Sequence, residues 1–311
     1  MSQNIERRDF LKKSTVAVAS TVVAASLTNN SIAAEKKESA KLPQLKKAVK
    51  ISMVKGKLSV LEKFQLLKEI GYDGVEINGP TKFDDKEVLA ARDKTGLPIH
   101  GVVGGAHWRF TLSDPNPKVR EKGLNIFMEG MKKAKIYGAT SALLVPAVVK
   151  KNVSYADAYK RSQAEIKKAL PLAEKLGIQI LIENVWNNFL LSPLEEVRYI
   201  DEFKSEMVGA YFDVGNVIRF GWATHWIETL GHRIKKLDIK EYSRKKQKNE
   251  GIYKGFRVKL GEGDCDWPDV MTALVEIGYN GWGTAEVPGG DKKRLTEIYN
   301  NMNKIFSKAT S

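Results

Sequence analysis

Glu69-Ile70-Gly71-Tyr72-Asp73-Gly74 and Glu276-Ile277-Gly278-Tyr279-Asn280-Gly281 are nearly the same six residues, met near the two ends of one chain. Each reads as a helix end, a glycine cap, a turn and the first residue of a strand. Outward from these two copies the same order repeats: a short apolar run, then a longer stretch with helical periodicity. The strands expected are Lys50–Val54, Gly74–Asn78, Ile99–Gly104, Ser141–Val148, Gln179–Val185, Val208–Val214, Lys236–Glu241 and Gly281–Val287. Strands separated by helices form parallel βαβ units, and eight such units close into a single-domain α/β (β/α)8 barrel rather than an open sheet. No G-x-G-x-x-G follows the first strand, which removes the main support for a dinucleotide-binding sheet.

The helices carry their own boundary signals. Ser59-Val60-Leu61-Glu62 has the form of a capping box, with Leu61, Phe64, Leu67 and Ile70 on one face. Ser192-Pro193-Leu194-Glu195 repeats it, and Pro117, Pro193 and Pro268 stand where first-turn prolines belong. Gly71, Gly96, Gly138, Gly177 and Gly278 follow helical segments as C-terminal caps.

The first 33 residues read differently. Arg7-Arg8-Asp9-Phe10-Leu11-Lys12-Lys13 precedes a short apolar stretch, and Ser31-Ile32-Ala33 supplies the small residues of a cleavage site. That order is a twin-arginine export signal, so a periplasmic or otherwise exported protein is expected. The apolar run from Ser14 to Leu27 is shorter than the roughly 18 residues of a membrane span, so no stable span is expected once the signal is removed. Residues 34–49 are lysine-rich and read as a linker, leaving 50–311 as the barrel. The lone cysteine, Cys265, is read as buried and inert.

The formal charge is +14, and about +12 without residues 1–33. Such a balance raises nucleic acid as a partner. The lysines, however, are scattered over amphipathic helices rather than gathered in an aromatic-studded stripe, so no nucleic acid is expected. The dense basic stretch from Arg244 to Lys259 reads as a mobile loop. Homo-oligomerisation is left open.

In such a barrel the chemistry sits at the C-terminal strand ends. There the sequence places Glu76, Glu183, Asp213, Asp238 and Glu286. Leu181, Tyr211, Lys236 and Thr284 each precede one of the last four acids by two residues and share its face. Glu183, Asp213, Asp238 and Glu286 are therefore expected to point into the barrel mouth. Four converging carboxylates repel unless a cation joins them, and one divalent metal ion satisfies all four. For any single acid, a place on a surface loop or pairing with Lys236, Lys240 or Arg244 is the favoured explanation; the four together point to the metal. His107-Trp108 follows the third strand; the pair either contacts a sugar or packs its loop.

With these segments in view, the chain resembles the sugar phosphate isomerase/epimerase group of xylose isomerase-like TIM barrels. The resemblance rests on Gly71-Tyr72-Asp73-Gly74-Val75-Glu76, Ile182-Glu183-Asn184, Phe212-Asp213-Val214-Gly215-Asn216, Asp238-Ile239-Lys240-Glu241, Gly261-Glu262-Gly263-Asp264 with Asp266-Trp267, and Gly281-Trp282-Gly283-Thr284-Ala285-Glu286. It implies a metal held by Glu183, Asp213 and Glu286, with a family histidine replaced by Asp238. Asn216 stands where the epimerases place a substrate-binding histidine, and Arg244 keeps the spacing of their substrate-gripping arginine. The resemblance also implies Glu183 and Glu286 as the proton-transferring pair.

The expected function is a metal-dependent isomerase or epimerase of a free sugar or keto-sugar. Candidate substrate contacts are Glu76, His107, Trp108, Asn216, Lys240 and Arg244. An all-oxygen donor set suits Mn²⁺ or Mg²⁺. The alternatives are a keto-glycoside lyase using the same proton abstraction, and a sugar-binding barrel without catalysis. An apurinic-site endonuclease, which needs several zinc-binding histidines, is disfavoured by a total of four His.

Overall fold

The computed structural model describes residues 44 to 308, apart from 80 and 82. The twin-arginine segment and the linker up to residue 43 lie outside the described residues. Eight parallel strands close into one barrel in sequence order: β1 Lys46–Lys50, β2 Gly74–Gly79, β3 Ile99–Gly104, β4 Ser141–Leu144, β5 Gln179–Glu183, β6 Val208–Asp213, β7 Ile234–Ile239 and β8 Trp282–Ala285. Around them lie α1 Val60–Ile70, α2 Asp85–Thr95, α3 Pro117–Tyr137, α4 Tyr155–Leu176, α5 Pro193–Asp201, α6 Ala223–Leu230, α7 Arg244–Glu250, α8 Trp267–Glu276 and α9 Lys292–Phe306. No helix among the described residues is long and apolar enough to cross a membrane.

The helix boundaries follow their local chemistry. Ser59 and Glu62 form the reciprocal capping box, and Gly71, Gly96, Gly138 and Gly177 end α1 to α4 at positive φ. At α5 the Ser192 hydroxyl caps Glu195 N, but the Glu195 carboxylate turns to Tyr155 and Leu191 N instead of closing the box.

Alternation sorts the strands as expected. Ile180, Ile182, Phe212, Leu237, Ile239 and Ala285 join the outer core beneath the helices, while Leu143, Leu181 and Tyr211 form a separate cluster inside the barrel.

Two expectations are corrected. The first strand is Lys46–Lys50, not Lys50–Val54, so residues 46–49 belong to the barrel rather than to a linker. Its register with β2 and β8 is set by Ala48 and Val49, and Ile51–Met53 turns into a 3-10 helix with Ile51 and Met53 buried in the outer core. The stretch 244–259 is also ordered: Ser243 caps α7, and Ile252–Phe256 is a 3-10 helix held by Tyr242 Oη donating to Ile252 O at 2.8 Å.

The Gly261-Glu262-Gly263 turn wraps a carboxylate of the protein itself. Glu241 is buried and accepts from Tyr242 N, Gly261 N, Cys265 N and the Trp267 indole. Cys265 is a buried free thiol beside it. The Gly289-Gly290 pair is a close approach: a Cβ on Gly289 would lie 2.1 Å from Met53 O, and Gly290 N donates to that carbonyl.

Candidate active site

Glu183 ends β5, Asp213 ends β6, Asp238 lies one residue from the end of β7, and Glu286 follows β8. β6 and β7 place Asp213 directly opposite Asp238. One carboxylate oxygen from each of the four residues lies within 4.8 Å of the others. Asp213 and Asp238 are fully buried, Glu183 is 6% exposed, and the Glu286 side chain is 33% exposed toward solvent.

Two lysines enter the same cluster. Lys50, the last residue of β1, has its Nζ 2.9 Å from both Asp238 Oδ2 and Glu286 Oε1. Lys240 Nζ lies 2.7 Å from Asp213 Oδ2 and 2.7 Å from Glu286 Oε2, with Asn216 Oδ1 at 3.3 Å. Asn216 N donates to Asp213 Oδ1, while the Asn184 amide bonds both backbone groups of Asp213. Glu286 is thus gripped by two ammoniums, whereas Glu183 has no lysine at hydrogen-bond distance among the described residues.

These contacts separate the four acids electrostatically. Burial and the charge of Glu286 push Glu183 up to about 8. Burial raises Asp213 to about 6 against the pull of Lys240, and raises Asp238 well above the carboxylate range against Lys50. Burial acts on Glu286 in the same direction, but Lys240 and Lys50 outweigh it and hold Glu286 well below the usual range.

The donor set fits a divalent cation. Four carboxylates meet only two ammoniums, so without a further cation burial holds Glu183 and Asp238 toward their neutral forms, and a divalent ion could take the place of those protons. Asp238 Oδ1 is buried and finds no hydrogen-bond donor among the described residues. Glu183, Asp213, Asp238 and Glu286 could therefore hold one such ion.

Above the carboxylates opens a cavity of about 510 Å³, walled by residues at or just after the ends of β1, β3, β5, β6, β7 and β8. Its size and its place at the C-terminal face of the barrel suit a small-molecule site.

A family model described as xylose isomerase-like TIM barrel matches residues 64–305. The chain belongs to that family. Within it, the L-ribulose-5-phosphate 3-epimerase of Escherichia coli K12 is 24% identical over 254 residues, which cover 74% of this chain and 85% of that protein. A 3-dehydro-D-guloside 4-epimerase of the same organism is 46% identical over 48 residues, 15% of this chain and 18% of that one. Among solved structures, the 3-keto-D-glucoside 4-epimerase of E. coli superposes with a TM-score of 0.70 at 18% identity, covering 85% of this chain and all of that one. A D-tagatose 3-epimerase-like protein gives 0.71 at 19%, covering 85% and 98%. These relatives are named as sugar epimerases, which are isomerase-class enzymes, or as similar to one.

This member of the xylose isomerase-like family brings most of the expected site residues together. His107, Trp108, Glu183, Asn216, Lys240 and Glu286 all line the cavity. Burial lowers His107 to about 4, so its imidazole is neutral at physiological pH. Two expected substrate contacts lie elsewhere. Glu76 is fully buried inside the barrel, because β2 runs three residues beyond it; Tyr211 Oη donates to it at 3.2 Å. Arg244 opens α7 and reaches back to the loop after β6, where Nε donates to Ile218 O at 2.9 Å and the guanidinium lies over Trp222.

The sequence reading missed Lys50, Trp186, Tyr253 and Phe256, all on the cavity wall. Lys50 was hidden in a lysine-rich run. Its signal is register: placing Ala48 opposite Gly74 puts Lys50 opposite Glu76 on the inward face.

Proposed function

We propose that this chain is a divalent-metal-dependent epimerase or isomerase of an unphosphorylated ketose or keto-sugar. The observation that carries the reading is the convergence of Glu183 and Glu286, from strands three apart, with Asp213 and Asp238 beneath one cavity. Glu183 has no lysine at hydrogen-bond distance among the described residues and lines the cavity, which suits it to take a proton from substrate. Glu286 stays ionised between Lys50 and Lys240 and accepts a proton only as charge moves toward substrate. The two carboxylates approach from different strands, so one removes a proton beside a carbonyl and the other returns one to the opposite face. Lys240 and Asn216 orient Asp213 and Glu286, and the neutral His107 is placed to bond a hydroxyl. A divalent ion held by the four carboxylates supplies Lewis-acid polarisation of the carbonyl. The all-oxygen donors favour Mn²⁺ or Mg²⁺.

A phosphate would need a cation in the cavity that is not already paired. Among the described lining residues the cations are Lys50 and Lys240, and both ammoniums are tied to carboxylates. The test is incubation with Mn²⁺ and a panel of ketoses, keto-glycosides and ketose phosphates in deuterated water. Deuterium uptake at the carbon beside the carbonyl, with substrate otherwise conserved in mass, is expected for unphosphorylated members. Uptake only with phosphates, or release of a second molecule, would overturn the reading.

Export by the twin-arginine route is part of the proposal and rests on Arg7-Arg8 and the apolar stretch after them. Replacing both arginines with lysine is expected to leave the precursor in the cytoplasm; unchanged secretion, followed by cell fractionation, would count against it.

A further inference from the structure

The carboxylate floor accounts for the polar half of the cavity; its outer half is aromatic. Trp108 and Tyr253 line it while remaining 51% and 72% exposed. They come from the segments after β3 and β7, which face each other across an eight-stranded ring. Trp186 and Phe256 join Tyr253 in one cluster, with ring centroids 5.6 Å (Trp186 to Tyr253) and 4.8 Å (Trp186 to Phe256) apart. The cluster is fixed in place. Trp186 Nε1 donates to Asn216 O at 2.8 Å, and Ser243 N donates to Gly255 O at 2.9 Å. Gly255 packs so closely on the Tyr242 ring that a Cβ would lie 2.4 Å from it. Trp108 and Tyr253 leave aromatic faces open to solvent over a polar pocket and forgo burial that would favour folding, while Trp186 and Phe256 form a packed, part-buried wall beside Tyr253. Such surfaces, part apolar and part wet, suit a flat ring carrying both C–H faces and polar edges.

We propose that this aromatic rim is an outer subsite for a second ring joined to the reacting sugar by a glycosidic bond, so that the substrate is a keto-glycoside rather than a lone ketose. The inference rests on the epimerase reading for the inner ring only. The reacting ring sits on the carboxylates, and the second ring, sugar or aryl, stacks between Trp108 and the Trp186–Tyr253–Phe256 cluster.

The test uses the full chain with Mn²⁺ and three probes: 3-ketoglucose, phenyl 3-ketoglucoside and 3-ketocellobiose. The expected kcat/KM for at least one two-ring probe exceeds that for 3-ketoglucose by tenfold or more. Tyr253→Ala and Trp108→Ala, both at exposed positions, each cut that ratio at least fivefold. A gain with cellobiose derivatives alone assigns the subsite to a sugar; an equal gain with phenyl assigns it to any flat ring. Equal handling of one- and two-ring probes, or variants that leave the ratio unchanged, would overturn the proposal. Calorimetry with unoxidised cellobiose against glucose separates the two readings. Tenfold tighter cellobiose binding that Tyr253→Ala abolishes, with no deuterium exchange on any probe, keeps the subsite and removes the epimerase.

Discussion

Two layers of the barrel interior use the same ingredients and reach different ends. In the lower layer burial raises Glu76 against the pull of Lys50 and Lys236, Tyr211 Oη bonds both Glu76 and Thr284, and Thr284 meets the buried His100. Lys236 Nζ donates to His100 O. In the mouth layer Lys50 and Lys240 face four carboxylates. The lower layer is neutral and closed, so it plugs the barrel. The mouth layer has two more carboxylates than ammoniums and opens to solvent through Glu286. Buried charge alone does not make a site; carboxylates in surplus over their lysines, beside an opening, do.

The sharpest way to break this comparison is to remove one lysine from each layer. Removing one partner of a buried ion pair costs about 3–5 kcal/mol. Lys50→Met is expected to lose stability on that scale in denaturant titrations without metal, and Lys236→Met, whose ammonium bonds His100 O and has no ion pair among the described residues, is expected to lose less. Recovery is read against wild type at the same Mn²⁺ concentration: only the Lys50 deficit should shrink, because an ion can take that lysine's place among the carboxylates, whereas the Lys236 variant gains from the ion only what wild type gains. Recovery of both, or of neither, would remove the distinction between the layers.

Glu286→Gln comes next. It keeps the size of the side chain but removes the charge that both mouth lysines grip, and turnover should fall at least roughly a hundredfold. Steady-state rates on the substrate identified by deuterium exchange decide this; near-normal rates would take Glu286 out of the chemistry.

A third buried carboxylate sharpens the contrast from outside both layers. Glu196 in α5 is fully buried, and neither of its oxygens has a hydrogen-bond partner among the described residues. Burial raises it from 4.5 to about 8. With its folded value above its unfolded value, it is neutral in the fold, and its contribution is lost as pH rises toward 8. Glu196→Gln should therefore stabilise the protein relative to wild type by an amount growing about 1.4 kcal/mol per pH unit between pH 5 and 8. Thermal melts across that range test it, and a pH-independent difference would refute the assignment.

The smallest expected effect is a change of preference. Asp238→His adds an imidazole to the donor set and should move the best restoring ion from Mn²⁺ or Mg²⁺ toward Co²⁺ or Zn²⁺ by about tenfold, or 1.4 kcal/mol. Competition binding after chelation reads it directly; an unmoved preference would place Asp238 outside the ion's reach.

The barrel and its four acids were legible because strand alternation and the glycine-capped helix ends are local signals. Ile182, Phe212 and Leu237 had to face the helices, which sent Glu183, Asp213 and Asp238 inward. What escaped depends on side-chain direction beyond the strand. Lys46-Lys47-Ala48-Val49-Lys50 looks like a solvated run, and only the barrel's closure buries Lys50. Arg244 keeps its expected spacing from Asp238, yet the start of α7 turns it toward Ile218. Basic composition suggested mobility at 244–259, while the helix cap at Ser243 and the tether from Tyr242 fix it. Glu76 was misplaced by strand length alone.

The Glu241 clamp has a consequence for engineering. Barrel enzymes are often re-tooled by exchanging rim loops as cassettes, on the assumption that the strand beneath is indifferent to its passenger. Here the turn at 261–267 is wound around a side chain that directly follows Lys240, so a transplanted loop without donors in the places of Gly261 N, Cys265 N and the Trp267 indole would leave an orphaned carboxylate one residue from the site. Grafts at this corner succeed only if Glu241 travels with the loop or is made neutral at the same time.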